Sequence, residues 1–266
     1  MNKKIIFSNS FSPRTGHNFA SEVLKIFTDH EVLAHHRSET RLSTFLEAYY
    51  SIYNNIIYYE SDKDFFDKII LNDIRKNIIN ESEKEYVMIK DTSFKGVKYL
   101  SEVFPDDIHI ILLRHPQDVF GSLFKGMKFK KKGVKNFIKR ITTPLGLYPY
   151  FYCRKVTRKV LSDMPKITKE HFVLRYEDLV LKNDKVLNKL KVKFNTKKPL
   201  LQIMNEIDAI EVINTSFIEE TGAKRIWDSL PKTKLFNPIN RKKHSFLVQK
   251  GIELGSKKLA KHLNYL

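Results

Sequence analysis

Short apolar runs alternate along this chain with stretches in which apolar residues recur every three or four positions. Ile5 to Phe7 is one such run; polar turn-formers follow it, and Phe19, Val23, Leu24 and Phe27 then fall at helical spacing. The pattern reads as strand, loop, helix. Glu31 to Ala34 predicts a short strand. Leu42, Phe45, Leu46, Tyr49, Tyr50, Tyr53 and Ile57 mark an amphipathic helix, and Phe65, Phe66, Ile69, Ile70, Ile74 and Ile78 mark another. Tyr86 to Ile89 predicts a strand ending at Lys90-Asp91-Thr92. Val97, Leu100 and Val103 predict a helix closed by Pro105. Ile108 to Leu113 is almost unbroken in its apolarity, as a strand buried on both faces requires. Pro116 and Asp118 suit the first turn of the helix after it. Residues 133 to 163 read as mainly helical, with a break or kink at Pro144. His171 to Leu174 predicts a strand, followed by Tyr176-Glu177-Asp178-Leu179 and a helix near Val186 to Leu190. From about 197 onward the pattern is less regular and closes on a helix after Gly255.

Strands alternating with helices predict an α/β fold, a parallel sheet flanked by helices, with ligands at the C-terminal ends of the strands. There is no internal repeat or low-complexity linker, and 266 residues suit one core, so a single domain over 1–266 is expected. Cys153 is the only cysteine, which rules out intramolecular disulfides and suits a reducing compartment. No apolar run is long enough for a signal peptide or a bilayer span. The expectation is a soluble, cytoplasmic protein.

Charge changes this picture. The net charge is +18, with its densest block from Lys125 to Arg140 and a second at Arg241-Lys242-Lys243. Such fields attract nucleotides, acidic glycans or an anionic membrane surface. No aromatic residues are interleaved as a base-stacking platform and no DNA-binding signature is present, so nucleic acid is not an expected partner.

Three candidate anion-binding features each follow a predicted strand. The first is Pro13-Arg14-Thr15-Gly16, a strand-to-helix loop that would aim backbone N–H groups, a helix dipole and a guanidinium at one point. It is neither a Gly-x-x-x-x-Gly-Lys loop nor a Gly-x-Gly-x-x-Gly loop. The second is Arg114, with Ser122 about two turns into the next helix; a guanidinium and a hydroxyl so placed suit one phosphate. The third is Leu174-Arg175-Tyr176-Glu177-Asp178-Leu179. Taken singly, each also reads as an ordinary strand exit.

Together they resemble the sulfotransferase superfamily. SFSPRTGHNF resembles its 5′-phosphosulfate loop, ILLRHPQDVFGSLFK its 3′-phosphate motif, and FVLRYEDLV its recurrent Leu-Arg-Tyr-Glu-Asp-Leu segment. The resemblance covers about residues 5 to 181, in order and spacing. It implies a fold related to nucleotide kinases and 3′-phosphoadenosine 5′-phosphosulfate (PAPS) as sulfuryl donor, with no metal required. It also implies that Arg14, Thr15, Gly16, His17 and Asn18 hold the 5′-phosphosulfate. Arg114 and Ser122 would hold the 3′-phosphate, and Tyr176 would lie near the adenine. His17 departs from the family, which usually has a small hydroxyl residue there.

For catalysis the resemblance offers Arg14 as stabiliser of the leaving phosphate and Lys90 as a second cation. Lys90-Asp91-Thr92 resembles a family Lys-Asp-Pro segment with threonine in place of proline. The acceptor's proton needs a base. Ser38-Glu39-Thr40-Arg41 resembles the Glu-Thr-Arg stretch of tyrosylprotein sulfotransferases, where the glutamate is the base. Glu39 is therefore put first, with His35 and His36 as alternatives, since histidine has the more convenient intrinsic pKa. In the tail, Ile213 to Phe217, Trp227 and Leu235 to Arg241 resemble parts of bacterial glycan sulfotransferases, with Ser216 a further donor contact and Arg241 to Lys243 further contacts to its phosphates. The expected activity is sulfuryl transfer to a hydroxyl of a carbohydrate or lipid-linked glycan. Protein tyrosine is the alternative acceptor, and a non-enzymatic basic module binding acidic polymer or membrane is the alternative class.

Overall fold

The computed structural model describes residues 3–33, 39–53, 60–127, 133–167, 171–213, 229–230, 239 and 244–266. Five parallel strands form its sheet: β1 (Lys4–Asn9), β2 (Glu31–Val32), β3 (Tyr86–Asp91), β4 (Ile108–Leu113) and β5 (Phe172–Arg175). Their order across the sheet is β2-β3-β1-β4-β5. Two further short strands, β6 (Val212–Ile213) and β7 (Ser229–Leu230), pair antiparallel with each other. The helices are α1 (His17–Thr28), α2 (Leu42–Tyr53), α3 (Glu60–Phe66), α4 (Ile74–Asn80), α5 (Val97–Val103) and α6 (Pro116–Gly126). They continue as α7 (Val134–Thr142), α8 (Leu147–Ile167), α9 (Tyr176–Val180), α10 (Asp184–Lys193), α11 (Leu200–Ala209) and α12 (Phe246–His262).

The apolar runs become strands because both faces of the sheet are covered, and side chains alternate between two cores. On β1, Ile6 points into the layer built with α1, α10 and α11, whereas Ile5 and Phe7 point into the layer with α2 and α5. On β4, Ile110 and Leu112 join the first layer, while Ile111 and Leu113 pack against α6, α8 and α12. The central position of β1 sets the location of the site. The chain leaves β1 through α1 toward β2 on one side of the sheet, and leaves β4 through α6 toward the other. Between the C-terminal ends of β1 and β4 the connections diverge and leave a crevice, the place where open α/β sheets bind ligands.

The pattern predicted most of these elements, and three differ. The segment expected as one helix through Ile78 is broken into α3, a π-helical turn at Asp67–Leu71, and α4. Residues 200–209, expected to be irregular, form α11 with Ile203 and Ile207 buried. The last helix begins at Phe246, nine residues before Gly255, and carries Gly251 and Gly255 in its interior. These glycines are contact points rather than stops. A Cβ on Gly251 would run into the carbonyl oxygen of Gly146, and one on Gly255 into that of Tyr150. Bare glycine surfaces let α12 cross α8 at backbone distance. Ile57 and Ala34, the last residues of two predicted elements, lie outside the described residues.

This close crossing predicts that Gly251→Ala destabilises the protein by about 1–3 kcal/mol, because the neighbouring group is backbone and cannot swing aside. Helix propensity alone would favour alanine by about 1 kcal/mol, so the sign separates the two effects. Urea denaturation of Gly251→Ala beside the exposed control Lys258→Ala, expected to shift stability by no more than about 0.5 kcal/mol, reads the difference.

Candidate active site

Beyond Asn9 the chain folds over the C-terminal edge of the sheet. Thr15 Oγ1 and Ser10 Oγ both donate to the carbonyl oxygen of Ser12, at 2.6 and 3.0 Å, and the Ser10 amide donates to the Asp91 carbonyl at 3.0 Å. These bonds hold the loop in a conformation with two left-handed residues, Arg14 at φ 77° and Gly16 at φ 103°. For glycine this conformation is easy; for arginine it costs on the order of 1 kcal/mol or more, and such strain gathers at functional sites. The α1 helix starts immediately afterwards with no side-chain cap and no acidic residue in its first turn. Its amides and positive dipole end therefore face the crevice unneutralised. By contrast, α6 is closed by its own chain: His115 Nδ1 accepts from the Gln117 amide at 3.2 Å, and Asp118 sits in the first turn.

His17 does not present its ring to the crevice. Its Nε2 pairs with Ser10 Oγ at 2.8 Å and its Nδ1 with Ser8 Oγ at 3.3 Å. Burial, and secondarily the charge of Lys90, push its pKa down to about 3, so the ring is neutral and acts as a brace beneath the loop. The Thr15 hydroxyl is likewise spent as a donor within the loop.

Three cations converge above this brace. Lys90, at the end of β3, is only 1% exposed, and its Nζ donates to Asn18 Oδ1 at 2.8 Å. Arg114 follows β4; its Nη1 donates to the Arg14 carbonyl at 3.0 Å, and its guanidinium lies 4.2 Å from the centre of the Tyr176 ring. Arg14 Nε in turn donates to Ser122 Oγ at 3.2 Å. Thus the two residues expected to share a phosphate, Arg114 and Ser122, are brought together with Arg14, which bridges the two motifs. Burial first, and then the like charge of Arg114, lower the pKa of Arg14, while Glu39 acts in the opposite direction. The buried side-chain amide nitrogens of Asn9 and Asn18 find no acceptor among the described residues. Two unspent donors beside three cations suit an anion. Asn9 was not picked out in the sequence; its signal was a polar residue ending an apolar strand just before the loop.

Tyr176 is 6% exposed and is committed to packing. Its ring meets Phe19 edge-on at 5.5 Å, lies under Arg114, and occupies the space that a side chain at Gly16 would need. Glu177, named in the sequence only as part of the third motif, accepts from the His115 amide at 2.7 Å and from the Tyr265 hydroxyl at 2.8 Å. It ties the turn carrying Arg114 to the end of the chain.

Glu39 stands at the mouth of the crevice. It is exposed, accepts from Thr92 Oγ1 at 3.1 Å, and is close enough to Arg14 to raise its pKa. The Thr40 amide donates to the Lys90 carbonyl at 2.8 Å, fixing this segment to the strand that carries the lysine. Of the remaining candidates, His35, His36, Ser38, Ser216, Trp227 and Arg241 to Lys243 lie outside the described residues.

The sulfotransferase family profile matches residues 10–196, which contain all three motifs. No curated protein sequence matches the chain. Among solved structures, the sulfotransferase domain of the Synechococcus PCC 7002 olefin synthase is similar at 16% identity and a TM-score of 0.44, over 100% of this chain and 96% of that one. A retinol dehydratase solved with androsterone and the inactive cofactor PAP is similar at 17% identity and a TM-score of 0.34, over 78% of this chain and 64% of that one. With the family profile spanning well over half its length and three motifs meeting in one crevice, the chain belongs to the sulfotransferase family, the PAPS-dependent enzymes that those motifs resemble.

Proposed function

We propose that this sulfotransferase acts on a hydroxyl of a carbohydrate, with Glu39 as the base. The observation that carries the donor half of this reading is the gathering of Arg14, Arg114 and Lys90 with two unspent asparagine amides at the open end of α1. Such a set suits a ligand with two separate phosphate-type ends. PAPS, when bound, supplies the sulfuryl group and a bisphosphate leaving group. Arg114 and Ser122 would hold its 3′-phosphate. The backbone amides of Thr15 to Asn18, the side-chain amides of Asn9 and Asn18, and Lys90 would hold the 5′ end. In this reading His17 contributes its amide and keeps its neutral ring below the loop. Tyr176 holds Arg114 in place rather than meeting the adenine.

Arg14 is the group best placed to stabilise negative charge on the leaving phosphate, and its hydrogen bond to Ser122 fixes the guanidinium. Glu39 would take the proton of the acceptor hydroxyl. Glu39 is open to solvent where an acceptor hydroxyl would arrive. A polar acceptor entering from solvent suits that exposed position, and the resemblances in the tail support a glycan. His36 remains the alternative base and Ser216 a further donor contact.

The donor site predicts that Arg114→Ala weakens adenosine 3′,5′-bisphosphate by about 30-fold, near 2 kcal/mol, and adenosine 5′-phosphate much less. Calorimetric titration of both nucleotides checks this, and equal losses would remove Arg114 from the 3′ role.

Glu39→Gln keeps the shape of the side chain but cannot accept a proton. Turnover should fall by about 10²-fold or more while bisphosphate affinity holds. His36→Ala should do less. A near-normal Glu39→Gln beside an inactive His36→Ala would reverse the assignment.

The acceptor is read separately, by transfer from labelled PAPS to oligosaccharides and to tyrosine peptides. Label on sugar is expected. Label on tyrosine alone would favour the alternative that Glu39-Thr40-Arg41 and Lys90-Asp91 suggest.

A further inference from the structure

Helix α7 is amphipathic in the wrong sense for a globular surface. Its half-buried positions include Asn136, Lys139 and Thr142, whereas Val134, Phe137, Ile138 and Ile141 are exposed, Val134 at 75% and Phe137 at 61%. Lys139 Nζ lies 5.4 Å from the centre of the Tyr148 ring on α8, so the polar side leans on the body of the protein and the apolar stripe points away from it. That stripe does not stand alone. Leu145 and Leu147, at the entry to α8, are also exposed. Gly146 between them packs on the backbone of Leu247, which brings the exposed Phe246 and Leu247 alongside. Patches of this extent on a soluble protein mark something that covers them.

The charge of the sequence that carries the stripe says what. No Asp or Glu stands between Asp118 and Asp163, while twelve Lys and Arg do. A second copy of this chain would press two such basic fields together, which opposes self-association. A surface offering both negative headgroups and an apolar interior satisfies the stripe and its flanks at once. No helix among the described residues is long and apolar enough to cross a membrane, and α7 has only nine residues, so it would lie in the interface plane. We propose that the outward face of α7, with the adjoining Leu145, Leu147, Phe246 and Leu247, docks the protein on an anionic lipid surface. The phenylalanine and aliphatic side chains enter the headgroup boundary, and the lysines and arginines meet the negative headgroups. This inference stands on α7 and its surroundings and is independent of the acceptor.

The test uses the full chain in co-sedimentation with phosphatidylcholine vesicles and with phosphatidylcholine–phosphatidylglycerol vesicles. Binding to the anionic vesicles, falling as salt is raised, is expected, with little binding to the neutral ones. The double variant Phe137→Ser, Ile138→Ser changes only exposed side chains. It should lose at least about ten-fold in vesicle partitioning and keep its affinity for adenosine 3′,5′-bisphosphate. Absence of vesicle binding, equal binding to both lipids, or unchanged binding of the double variant would overturn the proposal. So would a wild-type dimer by light scattering that the double variant converts to a monomer without any vesicle binding, since the stripe would then serve a second copy.

Discussion

The guanidinium of Arg114 joins the parts of the site that the chain supplies separately. It donates to the Arg14 carbonyl of the first loop and stacks on Tyr176 from the segment after β5, and its own turn after β4 is tied to Glu177. Tyr176 in turn fills the space that Gly16 leaves open. Each contact is modest alone, since a net hydrogen bond contributes about 1 kcal/mol and a stacked cation a similar amount. Their value lies in closure. With Arg114 fixed, the loop after β1, the turn after β4 and the segment after β5 hold one relative position at the crevice between β1 and β4.

That closure works against electrostatics. Arg14, Arg114 and Lys90 are drawn together in a partly or fully desolvated place, and burial and mutual repulsion already disfavour the charged form of Arg14. The fold answers in several ways. It keeps His17 neutral, so that no fourth positive charge enters the loop from below. It sets Asn18 Oδ1 against the Lys90 ammonium, and it sets Glu39 where it favours the charged Arg14. The asparagine at position 18 thus has two faces: its oxygen serves the lysine and its nitrogen is left for something else.

Periodicity and strand-end chemistry made much of this readable in the sequence. The run from Ile108 to Leu113 matches β4 residue for residue, and Pro116 opens α6 as a first-turn proline should. What stayed hidden depended on partners far away in the chain. Gly255 reads as a helix boundary until the backbone of Tyr150 is seen against it. Lys90 reads equally well as a surface lysine, because nothing local says that its side chain will be buried against Asn18, 72 residues earlier. Glu177 looks like an acidic residue suiting a helix start, yet both its oxygens are bound by groups from the β4 turn and the chain's end. In each case the type of element was local information, and the job of the residue was not.

The contrast between α1 and α6 carries the electrostatic logic one step further. Both helices begin at the same crevice, and each turns a positive dipole end toward it. The α6 terminus is satisfied by its own sequence, through His115 as cap and Asp118 in the first turn. The α1 terminus has neither, and its first turn instead carries Asn18 with an unspent donor. The cap position itself is Gly16, left-handed and filled over by Tyr176, so no capping side chain can stand there, and Arg14 before it is held in a costly left-handed conformation. The uncapped amides and the strained Arg14 thus stand at the helix end that Lys90 also faces. An anion at that point recovers what the fold leaves unsatisfied, which makes the 5′ loop, more than the 3′ motif, the part of the structure whose local sequence is at odds with stability alone.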